Sequence, residues 1–258
     1  NNCLSNGEAS LAVKEAVGRR LTSMPGYSIQ WNTLDNNRNP TSGWYAEFRQ
    51  DIAGAGGDAK FIRTTGDLRV YRELYDDVVG FVRFQAGHMQ AFGGDRLRIV
   101  DNFNLGPSLV RGFAPGGIGP RDISDPNNTE ANGLGGSTYV GGSVEVQFPI
   151  LGLPREVGLK GALFADAGTL FGYKGRTNFS ELLGLPANSP CTVTNAPPNY
   201  TQGNCISVYD SHKLRASVGA SIIWASPLGP IRFDFARAVS KAKYDVTQFF
   251  RFSGGTSF

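Results

Sequence analysis

The sequence predicts an all-β protein that forms an antiparallel transmembrane β-barrel, and three observations support this prediction. Apolar and polar residues alternate with a period of two over ten segments, as they do in strands with one apolar face. The connections between these segments alternate between short and long, as periplasmic turns and extracellular loops do in outer-membrane barrels. Finally, the chain stops on an aromatic residue inside a predicted strand, where a soluble sheet is expected to protect its edge.

The ten predicted strands leave two β architectures open. They cover residues 9–22, 26–35, 42–53, 58–73, 77–92, 138–149, 158–171, 213–225, 229–238 and 247–258. A soluble sandwich buries the apolar phase of such strands, whereas a membrane barrel turns it towards lipid. Short connections (36–41, 74–76, 150–157 and 226–228) at one end and longer ones (93–137, 172–212 and 239–246) at the other favour the barrel. Two short connections, 23–25 and 54–57, do not follow this pattern.

Composition excludes several classes of protein. The 258 residues include 34 glycines and 11% aromatic residues, which is typical of β proteins with many turns. A net charge of +3 without a basic cluster gives no indication of nucleic-acid binding. No apolar run reaches the roughly 18 residues that predict a transmembrane helix. Since no signal peptide opens the chain, we expect it to be part of a longer protein.

Cysteines and histidines give few candidate sites. Cys191 and Cys205 lie in one polar loop rich in Pro and Asn, which predicts a disulfide in an oxidising compartment, with two unpaired surface thiols as the alternative. Cys3 is left over. Neither His88 nor His212 has a nucleophile motif or metal-ligand spacing nearby, so we expect no enzyme, no metal and no cofactor.

The longest connection, about 93–137, carries the candidate functional motif Val110-Arg111-Gly112-Phe113. A loop of this length is usually functional or disordered, and its prolines and glycines favour a fixed, tightly turned path. A single arginine in a loop is most often a solvated charge. Here the polar phases of two following strands offer it carboxylates, Glu145 and Asp166, and Phe164 shares the phase of Asp166. If the loop folds into the barrel, we expect the Arg111 guanidinium to lie between these two acids.

Five motifs resemble the BamA-type outer-membrane assembly proteins, the bacterial surface antigen family. They are Pro107-Ser108-Leu109-Val110-Arg111-Gly112-Phe113 with Ile118-Gly119-Pro120-Arg121; Phe164-Ala165-Asp166-Ala167-Gly168; Trp31-Asn32-Thr33-Leu34-Asp35 with Pro40-Thr41-Ser42-Gly43; Trp224-Ala225-Ser226-Pro227-Leu228-Gly229-Pro230; and Gln248-Phe249-Phe250-Arg251-Phe252. The last motif continues to Phe258, and Gly255 takes the position of the family's kink glycine. Together these motifs span nearly the whole chain.

The resemblance implies a fold and a role. Residues 1–258 would be the C-terminal portion of a sixteen-stranded barrel in the bacterial outer membrane, with the upstream strands and POTRA repeats absent from this chain. In the family, an acid on each of the two strands after the loop holds the loop arginine. Implied partners are nascent outer-membrane β-barrel proteins and the lipid bilayer, with periplasmic lipoproteins and chaperones reached through the missing upstream part.

The expected function is therefore that of a non-enzymatic insertase, which folds other barrel proteins into the membrane. Barrel closure must pair the last strand with the first, yet Gly254 and Gly255 weaken the last strand, because glycine adds chain entropy and offers no cross-strand side chain. The lateral seam between these two strands, which ends at Phe258, is therefore expected to open. Two alternatives remain. One is a related translocator for autotransporter assembly or two-partner secretion, and the other is a passive porin or receptor.

Overall fold

The computed structural model describes residues 10–125, 131–150, 158–193, 203–226 and 229–254. Nine long strands form one antiparallel sheet in the order β1-β2-β3-β4-β7-β8-β10-β11-β12, and three two-residue strands form a second sheet in the order β6-β5-β9. The strands are β1 Gly26–Asn32, β2 Gly43–Ala53, β3 Phe61–Tyr75, β4 Val78–Ala91, β5 Arg121–Asp122, β6 Asn132–Gly133, β7 Thr138–Pro149, β8 Leu159–Phe171, β9 Val208–Tyr209, β10 Arg215–Ser226, β11 Gly229–Ser240 and β12 Phe250–Gly254. Within the described residues the long sheet is open, with β1 and β12 at its edges.

The two faces of the long sheet are inside-out relative to a soluble protein. Apolar side chains on one face are exposed, with Val144 at 55% and Leu163 at 57%, whereas Glu145, on the other face, is only 1% exposed. This distribution is what the apolar-out, polar-in alternation of a membrane barrel requires. None of the helices in these described ranges is long and apolar enough to cross a membrane.

The prediction of a strand at 9–22 is wrong. From Ser10 onwards this segment contains no strand, and its ordered element is the helix α1, Leu11–Glu15. The Ser10 side chain accepts a hydrogen bond from the amide of Ala12 and so caps the helix. Leu11 and Ala12 are both buried although they are neighbours, which one face of a strand does not allow. The described long sheet therefore has nine strands rather than ten.

Removing that strand makes the predicted connection pattern more regular. Connections 33–42, 76–77, 150–158 and 227–228 now lie at one end of the sheet, and 54–60, 92–137, 172–214 and 241–249 lie at the other. The segment 23–25 no longer joins two strands. At the long-loop end 92–137 and 172–214 are much longer than any turn at the other end, whereas 54–60 and 241–249 are not. At the opposite end, Asp77 takes a positive φ of 61° in the tight turn between β3 and β4, a conformation that Asp tolerates better than most residues.

The long loops pack against one another at their end of the sheet. A buried apolar cluster joins α1 to the loops on either side of β7 and β8 through Leu11, Ala12, Leu134, Phe179 and Ile206. The small sheet β6-β5-β9 links the same two loops by backbone pairing. This packing gives the loop that carries Arg111 a fixed frame.

Candidate functional site

The loop that carries Arg111 is docked against the polar face of the long sheet. Val110 and Phe113 are fully buried, and they pack in a cluster with Leu109, Ile118 and Leu170. Gly112 has a positive φ of 89°, and a Cβ there would lie 3.2 Å from the Cβ of Ala236. Glycine is therefore required both for the turn and for this close approach.

Arg111 is bound by two carboxylates. Its Nε and Nη2 donate hydrogen bonds of 2.7 Å to the two oxygens of Asp166, and its Nη1 donates one of 2.6 Å to Oε2 of Glu145. Nη2 also reaches the hydroxyl of Ser143, and the backbone amide of Arg111 donates to Asp166. The planar guanidinium fits this two-pronged arrangement, which the point charge of a lysine cannot reproduce.

Phe164 covers one face of the guanidinium. The Cζ atom of Arg111 lies 3.5 Å from the centre of the Phe164 ring, and Phe164 itself is buried. A cation over an aromatic face is attracted by the ring quadrupole, most strongly where water is excluded. The structure thus brings together all four predicted residues, Arg111, Glu145, Asp166 and Phe164.

A second arginine, which the sequence analysis did not assign to the site, completes the cluster. Arg232 on β11 donates 3.0 Å and 2.7 Å hydrogen bonds to the two oxygens of Glu145, and its Nε donates one of 2.6 Å to Asp234. Glu145 is therefore held between Arg111 and Arg232. The sequence did indicate that Arg232 and Asp234 point to the polar side, because they occupy the polar phase of their strand. Nothing in the sequence showed which other strand they would contact.

The Omp85 superfamily domain matches residues 2–258. This chain belongs to the Omp85 superfamily. The outer membrane protein assembly factor BamA of Neorickettsia risticii is 33% identical over 247 residues, which are 95% of this chain and 29% of that protein. BamA of Neisseria meningitidis is 27% identical over 90% of this chain and 28% of its own length, and the human sorting and assembly machinery component 50 homolog is 31% identical over 63% and 33%.

A solved structure shows the same fold as this Omp85 chain. The crystal structure of BamA from Haemophilus ducreyi lacking POTRA domains 1–3 superposes with a TM-score of 0.67 at 23% identity, over 88% of this chain and 41% of that one. The domain match and the BamA relatives confirm the predicted family, and the superposition confirms the β-barrel fold over the soluble alternative. The chain spans about three-tenths of the length of the curated BamA relatives.

The guanidinium of Arg111 in this Omp85 chain is charged under all ordinary conditions. Arg111 belongs to a loop rather than to a membrane-spanning strand. Burial lowers its pKa, but the hydrogen bonds and charge of Asp166, together with those of Glu145, raise the pKa above its usual value overall. Arg111 therefore stays protonated.

The remaining predicted residues lie away from the cluster. Cys191 and Cys205 form the predicted disulfide in the loop between β8 and β10. Gly254 is the last described residue of β12, while Cys3, Gly255 and Phe258 lie outside the described residues. His88 contacts the hydroxyl of Thr138, and the ring of His212 packs on Phe171, so neither histidine takes part in these ion pairs.

Proposed function

We propose that the protein folds and inserts other β-barrel proteins into the outer membrane through a weak lateral seam at β12. The BamA relatives are outer membrane protein assembly factors by name, and this chain matches them over 90% or more of its own length. We further propose that it forms the C-terminal portion of a sixteen-stranded barrel. Nascent barrel proteins would be the substrates, and periplasmic lipoproteins and chaperones would bind through upstream POTRA repeats.

The observation that carries the proposal is the position of β12 at the edge of the described sheet, where its outer edge would pair with the first strand of the complete barrel. On its inner edge β12 pairs with β11 from Phe250 to Gly254, with one further hydrogen bond from the amide of Ala236 to Phe249 just before the strand. Gly254 lies opposite Ile231 without a side chain to pack against it. An edge that separates easily exposes backbone donors and acceptors, on which an incoming strand can form by β-augmentation. Such templating needs no catalytic residue.

The docked loop disfavours the passive porin. Its apolar anchors pack against Tyr139 and Leu170 on the inner face of the sheet, and Arg111 fastens it to two strands by charge-assisted hydrogen bonds. A conducting channel needs that space for water and solute. Secretion relatives within the superfamily stay as the alternative, and a test with folding substrates separates them from an assembly factor.

The test locks the seam in the full-length protein. A cysteine pair is placed across β12 and the first strand of the complete barrel, and insertion of an unfolded barrel protein into vesicles is measured before and after reduction. A control disulfide joins β10 to β11 at the facing residues Ile222 and Phe233. We expect seam locking to stop insertion reversibly while the control pair has little effect. Normal insertion with a fully locked seam would remove lateral opening from the proposal.

A further inference from the structure

Residues 245–248, here called the strap, connect the docked loop to the last strand. The amide of Ala114 donates a hydrogen bond to the carbonyl of Val246. The amide of Val246 donates to the carbonyl of Gly117, and the amide of Gln248 donates to that of Gly112. Each of these bonds has a donor–acceptor distance of 3.0 Å. Phe113 and Thr247 face each other as an antiparallel bridge within this pairing. The docked loop therefore forms a short backbone ladder with the segment that leads directly into β12.

The strap is also fixed to the wall of the sheet. Arg215 at the start of β10 makes a two-pronged ion pair with Asp245, at 3.0 Å and 3.2 Å, and these side chains are 0% and 1% exposed. Arg215 further donates to the hydroxyl of Thr169 on β8, and Asp245 accepts from the amide of Ala242. A buried pair with these additional bonds sets the position of the strap, because leaving either charge without its partner there is costly.

A second attachment lies beyond the strap, on β12 itself. The guanidinium of Arg251 donates a 3.0 Å hydrogen bond to the carbonyl of Pro107, where the docked loop begins. The loop is thus attached on both sides of Arg111, to β12 through Pro107 and to the strap through Gly112 to Gly117. On the opposite edge of the strand, the amide of Ala236 on β11 donates to Phe249.

We propose that these contacts couple the Arg111 cluster to the position of β12, so that loop undocking and loosening of β12, seen as its separation from β11, are one linked event. Asp245, Arg215 and Arg251 are positioning residues in this linkage. The cluster fastens the loop to β7 and β8, and the loop in turn holds the strand whose edge the proposed function uses. This inference rests on the proposed function only for the purpose that strand separation serves.

Amide hydrogen exchange of the full-length protein in lipid nanodiscs tests the coupling without any substrate. The readout is the exchange of β11 amides that face β12, such as Ala236, which bonds to Phe249 just before that strand, compared with β11 amides that bond to β10. In Arg111→Ala, the first set is expected to exchange about tenfold faster while the second is unchanged, because a charge-assisted attachment of the loop is lost. Linkage is reciprocal, so weakening the strap should also speed exchange of the Arg111 amide.

Two pairs of matched variants separate coupling from local damage. Gln248→Pro removes the amide that bonds to Gly112, whereas Thr247→Pro removes a neighbouring amide that makes no hydrogen bond in the described part of the chain. Arg251→Gln shortens the side chain that reaches Pro107, and Arg251→Lys restores a cationic donor. We expect faster exchange in Gln248→Pro and Arg251→Gln, and near-native exchange in Thr247→Pro and Arg251→Lys.

Opposite results would overturn the coupling. Unchanged pairing of β12 in Arg111→Ala would show that the loop and the strand are independent, and equal effects of Gln248→Pro and Thr247→Pro would show that the ladder is not the connection. If Arg111→Ala does not fold, the Arg111 amide in Gln248→Pro gives the same answer from the other end. Insertion measured separately distinguishes the two proposals, because coupled exchange without insertion contradicts only the proposed function.

Discussion

Arg111 and Arg232 neutralise most of the negative charge of three buried acids, Glu145, Asp166 and Asp234. Glu145 accepts hydrogen bonds from both guanidinium groups, so each arginine depends on the same carboxylate. Buried charges of this kind are tolerated only when every partner is present, because the desolvation cost of an unpaired ion is large. The cluster thus holds the docked loop in one position rather than merely adding an attraction.

Arg111→Ala should therefore destabilise the protein much more than the loss of an exposed arginine. We expect a loss of about 3 kcal/mol in the free energy of unfolding, since Asp166 loses its charged partner inside the barrel. The free energy of unfolding of Arg111→Lys should lie between those of Arg111→Ala and the native protein. Lysine keeps the positive charge but cannot make the two-pronged hydrogen bonds of the guanidinium. Denaturant unfolding in lipid measures all three.

Arg49→Ala is the matched control for this prediction. Arg49 also pairs with an aspartate, Asp51, but its side chain is 54% exposed. Such a pair contributes roughly 0–1 kcal/mol. An effect of Arg111→Ala no larger than that of Arg49→Ala would contradict the buried-clamp interpretation.

At the scale of single elements, the turn between β1 and β2 is organised by one carboxylate. Asp35 accepts hydrogen bonds from the hydroxyl and amide of Thr41 and from the amide of Ser42. These bonds, the Thr41 hydroxyl first among them, lower the pKa of Asp35 to about 2. Its unfolded value is near 3.9. The stabilisation of the turn is thus complete above about pH 4 and is lost as the pH falls through about 2.

NMR titration of the Thr41 and Ser42 amides tests this prediction. Their shifts should follow Asp35 with a midpoint of about 2. Thr41→Val removes the hydroxyl donor and should raise the midpoint towards the unfolded value. A midpoint near 4 in the native protein would mean that the turn does not use the carboxylate.

The disulfide closes a ring within another single element, the loop between β8 and β10. Cys191 and Cys205 are 14 residues apart, and closing a loop of this size stabilises a fold by about 3 kcal/mol in the chain-entropy model, and by less where the loop is already ordered. We expect thiol reagents to leave both residues unmodified in the folded, non-reduced protein, as read by peptide mass spectrometry. Labelling should appear after reduction. Quantitative labelling of both before reduction would contradict this prediction.

Which elements the sequence predicted depends on how local their determinants are. In a strand with one face towards lipid, the alternation of apolar and polar residues repeats every two residues. This pattern located β2, β7 and β8 to within a few residues. The prediction of a strand at 9–22 was wrong because the apolar residues of this segment suit a capped helix as well as a strand. The contacts of the strap could not be predicted from a periodic sequence pattern, since they join two loops that are far apart in the chain.

The Arg232 contact depends on the whole sheet rather than on one strand. Glu145 lies on β7 and Arg232 on β11, with β8 and β10 between them in the sheet order. They meet only because the sheet curves and its strands are staggered, which brings side chains of non-adjacent strands together in the lumen. Alternation predicts the face of each residue, but the register and curvature that decide its partners are set by all strands together.

For the molecule as a whole, the direction of the apolar face separates a membrane barrel from every soluble β fold. Leu68 lies at the centre of β3 with its side chain exposed, opposite Ala46 on β2 and Phe84 on β4. The neighbouring Thr65 occupies the opposite phase, on the face that carries Asp67. These two residues lie on the same strand, three positions or about 10 Å apart, so they probe its two faces.

Leu68→Lys should therefore cost about 2–4 kcal/mol in the free energy of unfolding from a bilayer, because the ammonium would enter hydrocarbon near the midplane. Thr65→Lys should cost much less, since its ammonium would lie in the polar interior beside Asp67. Urea titrations of the full-length variants in lipid vesicles measure both. Equal costs for the two variants would show that water reaches both faces of the sheet, which is incompatible with lipid contact at Leu68.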